Sequence, residues 1–98
     1  MSVPVIFRAA AQQDIAEACR WHEARQPKLG AAFIDEIGKV EQLISTNPEL
    51  FASVRGQVRR AIMHRFPYAV FYVVRPEFVS VVAVLHHARH PDTWHGRN

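Results

Sequence analysis

The chain has 98 residues, 49% of them hydrophobic and 21% charged, with a net charge of +3. This is one domain's worth of chain, too short for two cores and too apolar for disorder. No run approaches the ~20 apolar residues of a membrane span, Met1–Phe7 lacks the charged start and long apolar stretch expected of a secretory signal, and the lone cysteine, Cys19, excludes an internal disulfide framework. Residues 1–98 therefore read as a single cytoplasmic domain.

Val3–Phe7 is a short β-branched and aromatic run that predicts a first strand, with Pro4 near its open end. From Ala9 the texture turns to alanine, glutamine and charge. Ala11, Ile15, Ala18, Cys19 and His22 recur at helical spacing, with Gln12, Glu17 and Glu23 turned outward. This helix should stop before Pro27, because the residue preceding a proline disfavours helical backbone. A second helix is predicted from about Lys28 to Ser45. Its apolar stripe is Leu29, Phe33, Ile37, Val40 and Ile44. Gly38 within it costs ~1 kcal/mol relative to alanine and marks an expected close approach of the two helices. Asn47-Pro48 stops the helix.

Three further strands are expected over 54–64, 68–75 and 78–86, broken at Phe66-Pro67 and turned at Arg75-Pro76-Glu77. The run 79–85 is apolar almost without alternation, so that strand should sit centrally with both faces buried. The predicted class is α+β, β-α-α-β-β-β: a helical hairpin packed on a mostly antiparallel four-stranded sheet.

Charge is segregated along this order. Residues 1–50 carry five Lys/Arg against seven Asp/Glu, a net of −2. Residues 51–98 carry seven arginines against Glu77 and Asp92, a net of +5, and hold five of the six histidines. A buried sheet needs its apolar runs but has no use for so many cations at their ends. Such a distribution steers an anionic or acidic partner, although arginines also guard strand edges against unwanted pairing. Arg59 and Arg60 are adjacent on a strand and so point to opposite faces; one is expected to pair with a helix carboxylate such as Glu17 or Glu36. His86, His87, His90 and His95 beside Asp92 match no zinc spacing, and no metal site is expected.

Several motifs occur in a specific order: Asp14-Ile15, Trp21-His22-Glu23, Leu29-Gly30 with Phe33, and Asn47-Pro48-Glu49-Leu50-Phe51. Val58-Arg59-Arg60, Arg65-Phe66-Pro67-Tyr68, Phe71-Tyr72 and Val84-Leu85-His86 follow, with Arg89 and Pro91 at the end. Together they resemble the ParE/RelE superfamily of bacterial type II toxins, which includes plasmid stabilisation proteins. The resemblance implies a partner, a small antitoxin whose extended C-terminal segment wraps and silences the toxin.

The superfamily contains two chemistries. RelE-like members cut messenger RNA on the ribosome, which requires an activated 2′-hydroxyl, a stabilised phosphate and a protonated leaving oxygen. Their pattern supplies these from lysines and arginines on the middle strands and a tyrosine near the C-terminus. Here Ala69 stands where such chains typically carry arginine, and Trp94 stands roughly where the tyrosine would be. Indole is a donor only and cannot act as a general acid. No lysine lies beyond Lys39.

These departures favour the ParE-like branch, which poisons DNA gyrase by protein–protein contact and needs no cofactor. On that reading Arg59, Arg60, Arg65, His86, His87, Arg89 and Trp94 form the target-contacting surface, arginine and tryptophan being frequent interface anchors. Trp21, Leu29 and Phe33 would line an apolar groove for an amphipathic antitoxin helix. A ribosome-dependent nuclease using Arg60, His64, Arg65 and Arg89 is the alternative from another class. A non-toxic module acting only within an antitoxin-bound repressor complex is a third.

Overall fold

The computed structural model describes residues 2–86. They form β1 (Val5–Phe7), α1 (Ala9–Arg25), α2 (Leu29–Thr46), β2 (Ser53–Arg55), β3 (Val58–Ile62), β4 (Tyr68–Val74) and β5 (Val79–His86). The class is α+β, with the helical hairpin laid on a five-stranded sheet ordered β1-β5-β4-β3-β2. β1 runs parallel to β5, and every other neighbouring pair is antiparallel.

The expected four strands become five because 54–64 is not continuous. Gly56 adopts φ +54° and reverses the chain between β2 and β3. Glycine enters this left-handed region without a Cβ penalty, so a short hairpin replaces the expected single strand. The opening strand is also shorter than expected. The Val3 N–H donates to Ser45 O at 3.0 Å and the Val3 carbonyl accepts from Ser45 Oγ at 2.7 Å, tying the entry of the chain to the end of α2 instead of to the sheet.

α1 ends at Arg25, ahead of Pro27, and buries Ala11, Ala18 and His22. α2 buries Phe33, Ile37, Val40 and Ile44 along the anticipated stripe and ends at Thr46, with Asn47 as its C-cap. The close approach of the helices falls at Gly30 and not at Gly38. A Cβ on Gly30 would lie 3.0 Å from Cys19 O and 3.1 Å from its Sγ, whereas one on Gly38 would meet nothing within 4 Å. Gly38 faces outward because the stripe it interrupts turns the other way.

The helix reversal is locked by Glu23. Its carboxylate accepts from the Lys28 N–H at 3.0 Å and the Gly30 N–H at 2.9 Å, satisfying donors that α2 leaves open at its first turn. Those two backbone donors hold the Glu23 carboxyl below the usual carboxylate range.

The sheet is apolar on both faces. Towards the helices, Ala61, Met63, Phe66, Val70, Tyr72, Val79, Val81 and Val84 join the hairpin's buried residues. On the opposite face Val58, Ala69, Phe71, Val73, Val82, Ala83 and Leu85 form a second buried cluster. β5 lies between β1 and β4 and is buried from Val79 to Leu85, as its unalternated sequence requires. Its register with β4 shifts between Phe71, paired with Ala83, and Tyr72, paired with Val81. The extra residue, Val82, therefore turns to the same face as Ala83, a bulge that keeps both apolar sets inward.

Candidate functional site

A cleft of about 200 Å³ opens where α1 passes over the end of β5. Asp14, Glu17, Ala18 and Trp21 line it from α1, while Val84, Leu85 and His86 line it from β5 and Tyr68 from β4. The α1 residues are spaced i, i+3, i+4 and i+7, which places them along one flank of the helix. β1 ends at Phe7 and pairs with β5 only as far as Val81. Beyond that point α1 takes over the exposed side of β5: the Val84 N–H donates to Asp14 Oδ2 at 3.0 Å. Asp14 thus supplies the acceptor that a neighbouring strand would otherwise provide.

The floor beside the cleft is aromatic. His22, only 6% exposed, stands 5.0 Å from Trp21, 5.3 Å from Phe33, 4.9 Å from Phe66 and 5.5 Å from Tyr68, ring centre to ring centre. Its Nε2 has no hydrogen-bond partner among the described residues. Burial pushes its pKa below the ordinary value, and the nearby Arg25 and His86 push it further down. Tyr68 in turn meets His86 edge-on at 5.4 Å. Trp21 remains 44% exposed and carries the Arg25 guanidinium 4.6 Å from its ring centre.

The anticipated target-contacting residues are dispersed. Arg59 faces the helix side of the sheet, where it donates to Phe51 O at 2.7 Å and Glu49 O at 3.3 Å. The expected pairing of an arginine here with a helix carboxylate is thereby corrected: the partners are carbonyls of the α2–β2 connection, and Glu36 pairs instead with Lys39 at 3.0 Å. The Tyr72 hydroxyl donates to Pro48 O at 2.8 Å in the same connection, and burial pushes its phenol up. Arg59 and Tyr72 are cross-strand partners, so together they pin residues 48–51 to the sheet.

Arg60 is exposed on the opposite face, paired across the sheet with Phe71. Arg65 lies in the β3–β4 connection with its guanidinium 5.7 Å from the Phe66 ring, and His64 beside it is exposed. His86 closes β5 at the cleft. His87, Arg89 and Trp94 lie outside the described residues.

For the expected antitoxin groove, Trp21 is exposed and Leu29 is half-buried against the core, but Phe33 has 0% exposure. Phe33 packs on Phe66 at 5.2 Å and Tyr68 at 5.1 Å, inside the core and not at an exposed edge of the hairpin. The nuclease set is not gathered either: neither Arg60, His64 nor Arg65 lines the cleft that holds Tyr68 and His86. Asp14, Glu17 and Tyr68 escaped the sequence reading as a site, although the i, i+3, i+7 spacing of Asp14, Glu17 and Trp21 was visible.

No group of three or more His, Cys, Asp or Glu side chains suited to a metal exists among the described residues. No helix among them is long and apolar enough to cross a membrane.

Fold and site together define a small α+β domain with an acidic, aromatic cleft at one flank of its hairpin. Residues 5–91 match the family described as the ParE toxin of the type II toxin-antitoxin system, parDE, and the chain belongs to that family. Among solved structures it is similar to a chain of the chromosomal ParDE TA system from P. aeruginosa, with a TM-score of 0.74 at 11% identity, covering 85% of this chain and 94% of that one. At that identity the likeness concerns the fold. No curated protein matches the sequence.

Proposed function

We propose that this chain is the toxin of a type II pair, that it inhibits DNA gyrase by protein–protein contact, and that a cognate antitoxin neutralises it. Family membership implies the antitoxin. The observation that carries the choice of contact over RNA cleavage is the charge around the cleft. A nuclease of this fold would need cations converging on the phosphate beside a proton-transferring group. The cleft that holds Tyr68 and His86 has Asp14 and Glu17 as its other charged walls, with no arginine or lysine among the described lining residues. Carboxylates there repel phosphate. The exposed cations Arg60, on β3, and Arg65, in the β3–β4 connection, do not line the cleft, and Ile62 at the end of β3 is exposed as well; guanidinium and apolar groups of this kind are frequent anchors of protein interfaces.

The test is a supercoiling assay with purified gyrase. Inhibition is expected at stoichiometric toxin and relief on adding antitoxin. Unchanged supercoiling at large excess, with codon-spaced cuts in translated transcripts, would replace this reading with the nuclease one.

A further inference from the structure

One face of the sheet lies away from both helices, yet its centre is buried. Val73 on β4 has 0% exposure and Val82 on β5 has 1%, with Val58, Phe71, Ala83 and Leu85 buried around them. A single layer of sheet leaves such side chains to water unless a second layer lies over them. The buried residues of α1 and α2 belong to the cluster of the other face. Arg59 and Tyr72 hold the α2–β2 connection on that side, and Met63 and Phe66 bring the β3–β4 connection there too. The reversals at Gly56 and at Arg75–Phe78 are tight turns. The burial is that of the chain by itself, so its cause lies within the chain, and the one segment left is 87–98. The cover is also narrow. Ile6 and Ile62, at the two sides of the same face, stay 49% and 48% exposed, whereas a second folded layer would take in this rim.

We propose that residues 87–98 fold back onto this face, with Trp94 as the apolar anchor over Phe71 and Val82, and with Arg89 and Arg97 joining Arg60 at its rim. Trp94 is the one large apolar side chain in the segment. Phe71 and Val82 are both engaged by a partner, as such a cover requires. The reach is sufficient: His86 pairs with Tyr68, three residues along β4 from Phe71, which is roughly 10 Å. Eight residues from His86 to Trp94 span more than that when extended. Trp94 is then an internal anchor and not a target contact, and the basic surface is a composite of β3 and the tail. Only that last clause, the use of the composite surface on a target, rests on the function proposed above.

The test uses the full chain carrying Trp21→Phe, which leaves Trp94 as the only tryptophan. Its emission should be blue-shifted relative to the urea-unfolded chain and shielded from acrylamide. NMR should show nuclear Overhauser contacts from the indole to the methyl groups of Val73 and Val82. Trp94→Ala should lower the melting temperature by roughly 10 °C, the cost of truncating a buried aromatic in a domain of this size, and Trp94→Phe should recover most of it. A water-exposed indole, absent contacts to Val73 and Val82, or an unchanged melting temperature in Trp94→Ala would overturn the proposal. So would protection that is lost on dilution to the monomer, which would make the cover a second copy, or protection seen only with antitoxin bound. Supercoiling is scored separately. A docked tail with gyrase unaffected leaves the anchor in place and removes the target reading; inhibition with a water-exposed Trp94 does the reverse.

Discussion

Replacing Asp14 by alanine removes the acceptor of the Val84 N–H, a half-buried contact at 3.0 Å between residues 70 positions apart. No neighbouring strand can take over, because β1 has left β5 after Val81 and become α1. A hydrogen bond to a charged group contributes about 1.5–3 kcal/mol, and the orphaned donor adds its own desolvation cost when water cannot reach it. A loss of about 2 kcal/mol is therefore expected in urea unfolding. For a domain of this size that corresponds to a fall in melting temperature of roughly 8–16 °C. Asp14→Asn keeps a side-chain carbonyl and should recover about half of the loss, since a neutral bond is worth about 1 kcal/mol. Amide exchange at Val84 should accelerate in the alanine variant more than exchange at Val70 within the β3–β4 ladder. A stability change under about 0.5 kcal/mol, the range of ordinary surface substitutions, with Val84 protection intact, would show that α1 does not cover the edge of β5.

The lowered pKa of His22 means that the unfolded chain takes up a proton before the folded one does. Stability should be full above the ordinary value of 6.5 and decline as pH falls through the window below it, and the His22 ring resonance should titrate with a midpoint under 6.5; a midpoint above that value would contradict its burial. Gly30→Ala should destabilise by about 1–3 kcal/mol because its Cβ would press on the Cys19 backbone. Gly38→Ala, with open space around it, should stabilise by about 1 kcal/mol, and equal effects at the two sites would refute the placement of the helix contact. Tyr72→Phe should cost about 1 kcal/mol by stranding the Pro48 carbonyl. Trypsin should then cut more readily after Arg55, just beyond the connection that Tyr72 pins.

The elements were legible where one signal dominated. The stripe from Leu29 to Ile44 has helical period and ends at Asn47-Pro48, and the apolar run 79–85 admits only a central strand. Errors arose where two readings shared one local pattern. Gly56 lies in a run that is otherwise β-branched and basic, so the turn it makes was invisible without its backbone angle. Gly30 and Gly38 are both helical glycines, and only the partner helix decides which is crowded. Phe33 belonged to the right stripe, but a stripe does not say which member lies at its buried centre. The cleft was hidden for a different reason. Its walls come from α1, β4 and β5, and the role of Asp14 depends on where β1 ends, a fact about register that no window of sequence contains.

The charge asymmetry between the halves of the chain acquires a spatial meaning from this topology. Asp14 and Glu17 of α1 line the cleft against β5, while Arg60 projects from the opposite face of β3, with β4 between the two strands. Arg59 does not contribute to either surface, since its guanidinium is committed to carbonyls within the fold. The sheet therefore separates an acidic recess from a basic face, and one partner can meet both only by passing around the domain. A rigid, single-faced target would engage one charge and leave the other to water. An extended segment with basic and acidic residues set apart could satisfy both, and because most of its affinity would come from spanning the two, loss of either charged end should speed dissociation far more than it slows association.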